Sequence, residues 1–241
     1  MSGHLDTALN TLSRIASAVG NTVGTVVNQQ LTNIENRINT MSVNDTANTV
    51  VLTKGVNISL EKAISEGLTD ASVGLAWDEI PGATSFDADS IAVMLDADGK
   101  LIADGAVYYG LAASGGAPYK SKDGSIHHSG DNLTGKGSGD DETLTVSLNS
   151  VPANVAKINI IINIHQAKER GQNFGQVPSC KARMYNKNTG EVLGKYDLVE
   201  DFSAATAVEV CQFYRYEGTW KFKALGNALT GNLQEIVAKY K

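Results

Sequence analysis

The hydrophobic period changes near residue 50, and that change constrains the fold more than any other feature. Before it, apolar residues fall at Leu5, Leu9, Leu12, Ala16, Val19, Val23 and Val26, spaced alternately by 4 and 3. The pattern slips by one residue and resumes at Val27, Leu31, Ile34, Ile38 and Met41. A one-residue slip turns the apolar seam around the helix axis, so the two halves face different directions. The spacing predicts helix over residues 5–41 of an arm at residues 1–42, about 55 Å long if fully helical at about 1.5 Å per residue. Gly20 and Gly24 weaken its middle, or let another backbone approach closely there. The arm has few i,i+4 ion pairs to hold it alone in water. Two readings stand: a hairpin folded on its own domain, or an arm for self-association or a protein partner.

Residues 43–49 are polar and read as a linker. From residue 50 the pattern is strand-like. Candidate strands are Thr49–Leu52, Val56–Leu60, Ser72–Trp77, Ser90–Leu95, Ala106–Tyr109, Thr143–Leu148, Ile158–Ile164, Ala182–Asn186, Val192–Leu198, Ala207–Tyr216 and Trp220–Ala224. Asp98-Gly99, Asp123-Gly124 and Thr189-Gly190 are turn signals. Strands at this density suggest a sandwich or a barrel, not a parallel βα fold. Asn232–Tyr240 reads as a short amphipathic helix with Leu233, Ile236, Val237 and Tyr240 on one face.

The net charge of -6 excludes a general nucleic-acid binder, which needs a basic face to neutralise phosphates. No apolar run is long enough to span a bilayer, and the first residues lack a basic, then apolar, signal pattern. The expectation is a cytoplasmic chain, or one packaged in a larger particle such as a phage. Cys180 and Cys211 fit no zinc or redox spacing and read as buried thiols in strands.

The carboxylates gather in loops. Asp78 follows one candidate strand, and Asp87 and Asp89 precede another. The run from Gly130 to Glu142 adds Asp131, Asn132, Asp140 and Asp141 among glycines. Facing carboxylates repel and take up protons unless a cation neutralises them. Asp and Asn oxygens with glycine-exposed carbonyls suit calcium at six to eight ligands. Magnesium wants a stricter octahedron, and no Cys/His cluster suits zinc. Solvated acidic loops without metal are the competing reading.

Several motifs carry a resemblance. They are Val73-Gly74-Leu75-Ala76-Trp77-Asp78, Phe86-Asp87-Ala88-Asp89, the Gly130–Glu142 run and Arg170-Gly171-Gln172-Asn173-Phe174-Gly175-Gln176-Val177. Tyr196-Asp197-Leu198 with Glu200-Asp201, and Gly218-Thr219-Trp220-Lys221-Phe222, continue them in order. Residues 50–241 thereby resemble the TerD family of tellurium-resistance and stress-response proteins. The resemblance implies a mainly β, antiparallel β-sandwich that binds Ca2+, similar in architecture to calcium-dependent lipid-binding modules. It implies metal ligation by Asp78, Asp87, Asp89, Asp131, Asn132, Asp140 and Asp141. Two departures remove negative charge: Gln166 stands where the family commonly has an acid, and Lys136 and Ser138 interrupt the glycine-rich loop. They predict weaker affinity, or one site in place of two.

Other motifs carry less. Gly130-x4-Gly135-Lys136 continues with Gly137, not the Ser or Thr of a P-loop. Asp96-Ala97-Asp98-Gly99 lacks the spacing and closing Glu of an EF-hand. His127 and His128 are adjacent, so on a strand they face opposite ways. His165 lies near the acidic loops at a strand end. No nucleophile motif stands apart from the acids. The expectation is a non-enzymatic calcium-binding module whose ordered loops meet a partner. The alternative is a structural subunit of a larger assembly, oligomerised through residues 5–41.

Overall fold

A computed structural model describes residues 50–78, 86–111, 119–136, 139–177 and 179–241. The expected arm at residues 1–42 and the linker at residues 43–49 lie outside the described residues.

Two six-stranded sheets form a sandwich. The strands are β1 (Val50–Val51), β2 (Asn57–Ser59), β3 (Asp70–Trp77), β4 (Ala88–Leu95), β5 (Leu101–Val107) and β6 (Ile126–His128). They continue as β7 (Glu142–Ser147), β8 (Lys157–Ile164), β9 (Cys180–Asn186), β10 (Val192–Asp197), β11 (Ala207–Tyr216) and β12 (Thr219–Leu229). The first sheet has the order β1-β10-β9-β3-β7-β6, and the second β2-β12-β11-β8-β4-β5. Pairing is antiparallel except between β1 and β10. Among the described residues, four short α-helices lie between or after the strands: α1 (Glu61–Ser65), α2 (Ala167–Arg170), α3 (Leu198–Asp201) and α4 (Leu233–Ala238).

Side-chain alternation explains the two kinds of strand. In β7 Glu142, Leu144 and Val146 are buried while Thr143, Thr145 and Ser147 are partly exposed, so that strand has one covered face. Every residue of β4 is buried, as are those of β8 after Lys157. One face of β4 and β8 joins the main core through Ala92, Met94, Ile158, Ile160 and Ile162. The other face carries Ile91, Val93, Leu95 and Ile161, which pack with Leu233 and Ile236 of α4. The helix thus accounts for the nearly continuous apolar runs of these strands. Asn232 caps α4 by accepting from Glu235 N–H at 3.0 Å, and Glu235 accepts Asn232 N–H at 2.9 Å in return. Tyr240 donates its hydroxyl hydrogen to Glu209 beneath the helix.

The main core contains Phe86, Phe174, Phe213 and Phe222, each nearly solvent-free, and each contributes roughly 1.5–3 kcal/mol by burial. Cys180 and Cys211 are free and buried in β9 and β11. Burial pushes both thiols well above their ordinary range. Among the described residues no helix is long and apolar enough to cross a membrane.

Candidate metal centre

β4 begins at one end of the second sheet, directly after Asp87. Asp87 and Asp89 are two apart, so an extended backbone sends both side chains to the same face. Only 5% of Asp87 and 1% of Asp89 is exposed. Asp131 reaches them from the loop between β6 and β7. One carboxylate oxygen from each of Asp87, Asp89 and Asp131 lies within 4.8 Å of the others. Asp87 Oδ1 and Asp89 Oδ2 are buried without a hydrogen-bond partner. Two unit charges 4.8 Å apart repel by about 3 kcal/mol at an effective dielectric of about 20.

Protonation responds accordingly. Burial, then the charges of Glu142, Asp87 and Asp131, push the Asp89 carboxyl up to about 9. Burial also raises Asp87, with His165 and Arg170 offsetting part of the shift. Asp131 is raised by burial and by Glu142. Nearby, Tyr109 is pushed up to about 12, by burial first and then by Asp89. These shifts mark a place where negative charge is concentrated and poorly solvated, which a hard cation would neutralise.

The loop that carries Asp131 is fixed on both sides of it. Gly130 N–H donates to His128 Nδ1 at 3.1 Å, and Asn132 N–H to Glu142 Oε1 at 3.4 Å. Glu142 Oε2 also accepts from Ser90 N–H and from the Ser90 hydroxyl, both at 2.8 Å, which ties the loop to β4. Because His128 Nδ1 accepts, its hydrogen sits on Nε2, which faces Glu142 Oε2 at 3.3 Å and Ser90 O at 3.1 Å.

Further along the loop, Asn132 Oδ1 accepts from Thr134 and Gly135 N–H, both at 3.1 Å, and Asn132 Nδ2 donates to Asp141 Oδ1 at 3.0 Å. Asp141 Oδ2 accepts Trp77 N–H at 2.9 Å. Asp140 holds Arg183 in a two-point pair, 2.7 Å to Nε and 3.0 Å to Nη2. Gly135, at φ +67°, lies against the Trp77 ring, where an added Cβ would come within 2.5 Å.

The structure therefore divides the residues named from the sequence. Asp87, Asp89 and Asp131 converge. Asn132, Asp140 and Asp141 hold the loop in place. Asp78 is exposed after β3, its N–H donated to Ser179 O at 3.1 Å, and it stands outside the converging group. Gln166 is exposed in a left-handed turn, φ +51°, ahead of α2. Sequence reasoning did not single out Ser90, Glu142 or His128 as supports. Glu142 carried a signal, since it ends the acidic run and opens an alternating strand whose inward positions it shares.

The TerD domain profile matches residues 49–240. The chain belongs to the TerD family. General stress protein 16U of Bacillus subtilis (strain 168) is 44% identical over 194 residues, covering 80% of this chain and 97% of that protein. Tellurium resistance protein TerD of Alcaligenes sp is 40% identical over 193 residues, covering 79% of this chain and 96% of the relative. The crystal structure of a TerD homologue from Streptomyces coelicolor A3(2) superposes with a TM-score of 0.60 at 22% identity, covering 71% of this chain and 96% of the other. At that identity the match concerns the fold, and its fold is the one described here for the TerD sandwich.

Proposed function

We propose that this TerD protein is a calcium-binding module that takes part in stress or tellurium resistance through loops ordered by the cation. The reading makes it a binding protein, not an enzyme. The observation that carries it is the convergence of Asp87, Asp89 and Asp131, two of them buried with unpartnered oxygens. Three carboxylates offer up to six hard oxygens, a set that suits calcium's six to eight ligands at flexible geometry. Glu142, His128 and Asn132 hold the loop that brings Asp131 to Asp87, just before β4, and Asp89 within it. Asp140, committed to Arg183, supports one centre, in line with the charge lost at Gln166 and Lys136. The resistance role rests on the names of the relatives.

Calorimetric titration of calcium into the full-length protein tests this, with Asp87→Ala and Asp131→Ala alongside. The wild type is expected to bind saturably and each variant at least about tenfold more weakly. No uptake by the wild type at millimolar calcium would overturn the reading.

A further inference from the structure

A third buried oxygen without a partner lies at the same end of the second sheet: Asn163 Oδ1, on a residue only 3% exposed. The strand register places it beside the carboxylates. Asp89 pairs with Asn163 across β4 and β8. The ladder continues one step, with His165 N–H donating to Asp87 O at 2.8 Å. Directly opposed residues of an antiparallel pair rise from the same face, with Cβ atoms about 4.5–5.5 Å apart. Asp87, Asp89, Asn163 and His165 thus occupy four neighbouring positions on one face. Consistent with that placement, His165 Nδ1 lies 3.7 Å from Asp89 Oδ2. On the other side Asn163 faces Ala207 of β11, whose methyl group offers no hydrogen bond. A polar amide on a strand of isoleucines, with its oxygen unanswered, is costly to bury unless something occupies the site.

We propose that Asn163 is the neutral ligand of the cation centre, its Oδ1 adding to the oxygens of Asp87, Asp89 and Asp131. This inference rests on the calcium reading above. The chemistry favours an amide at this position. Three ionised carboxylates already exceed the charge of a divalent ion. A fourth would add repulsion in a buried setting, whereas an amide supplies a hard oxygen without charge.

The test is calcium calorimetry on the full-length wild type, Asn163→Leu and Asn163→Asp, with thermal unfolding of each in EDTA. Asn163→Leu is expected to weaken calcium binding at least about tenfold. Its metal-free unfolding midpoint is expected to equal or exceed the wild type's, because an apolar side chain of similar size replaces an unpaired polar one. Asn163→Asp keeps an oxygen at the position, so it is expected to retain calcium binding while losing metal-free stability to the added repulsion. If Asn163→Leu binds like the wild type, the ligand role is overturned and the calcium reading stands. If Asn163→Leu does not fold, a folded Asn163→Asp that has lost calcium binding overturns it as well. A wild type that takes up no calcium removes both.

Discussion

At Gly74 of β3 the absence of a side chain keeps the acidic loop where it is. A Cβ there would lie 2.1 Å from Asp140 Oδ2 and 2.3 Å from its Cγ. Gly74→Ala is therefore expected to expel Asp140 from its pair with Arg183 and to destabilise the protein by about 1–3 kcal/mol, read by urea denaturation. At Asp89 the expectation concerns pH. Its folded pKa is raised to about 9, so without metal the folded state holds a proton that the unfolded state has released. Metal-free stability from this group is greatest below the unfolded pKa of about 3.9 and falls as pH rises toward 9. Calcium is expected to reverse the slope, because each carboxylate that ionises frees an oxygen for the cation. Melting curves in EDTA and in calcium between about pH 5 and about pH 8 are expected to diverge with pH; parallel curves would show that calcium does not neutralise Asp89. The sequence made the acids of this site visible, but it could not sort them. Asp131 and Asp140 share one glycine-rich run, and only Arg183, on a distant strand, decides that Asp140 is paired. Asn163 was not singled out within the Ile158–Ile164 run, because only the strand register sets it opposite Asp89.

Among the elements, α4 was readable from its 3.6-residue period and from Asn232 at its start. The longer strands were readable as well, within one to several residues at their ends. β5 and β6 were harder. In β5 the Asp104-Gly105 pair resembles a turn, yet it lies within the strand, with Asp104 at φ 56° where the register with β4 shifts. β6 is three residues long, and α1 to α3 are too short to show a period. The role of α4 is open to direct measurement. Ile236 is fully buried against the outer face of β4 and β8. Ile236→Ala is expected to cost about 2–5 kcal/mol, and Asn232→Ala, which removes only the cap, about 1 kcal/mol. Equal, small effects in chemical denaturation would mean that the helix contributes little to covering the sheet.

For the whole molecule, the open question is what residues 1–42 add to a TerD domain that begins near residue 49. Among its described residues the domain offers little apolar surface for self-association. Its exposed large hydrophobics among the described residues are Val51, Leu133 and Tyr216, on three separate parts of the chain. Tyr216 also has Lys221 Nζ over its ring at 4.2 Å. The apolar positions from Leu5 to Met41, by contrast, would stay exposed if the expected arm stood alone as a helix in water. If chains assemble, the seam is therefore the surface expected to join them. Light scattering on the full-length protein and on residues 43–241 checks this. The full-length protein is expected to have a mass above one chain, and residues 43–241 the mass of a single chain with unchanged calcium binding. Equal oligomeric states for the two would remove self-association through residues 5–41. A single-chain mass for both would fit an arm that packs on its own domain or on a different protein, and a multiple-chain mass for both would place the interface within the sandwich.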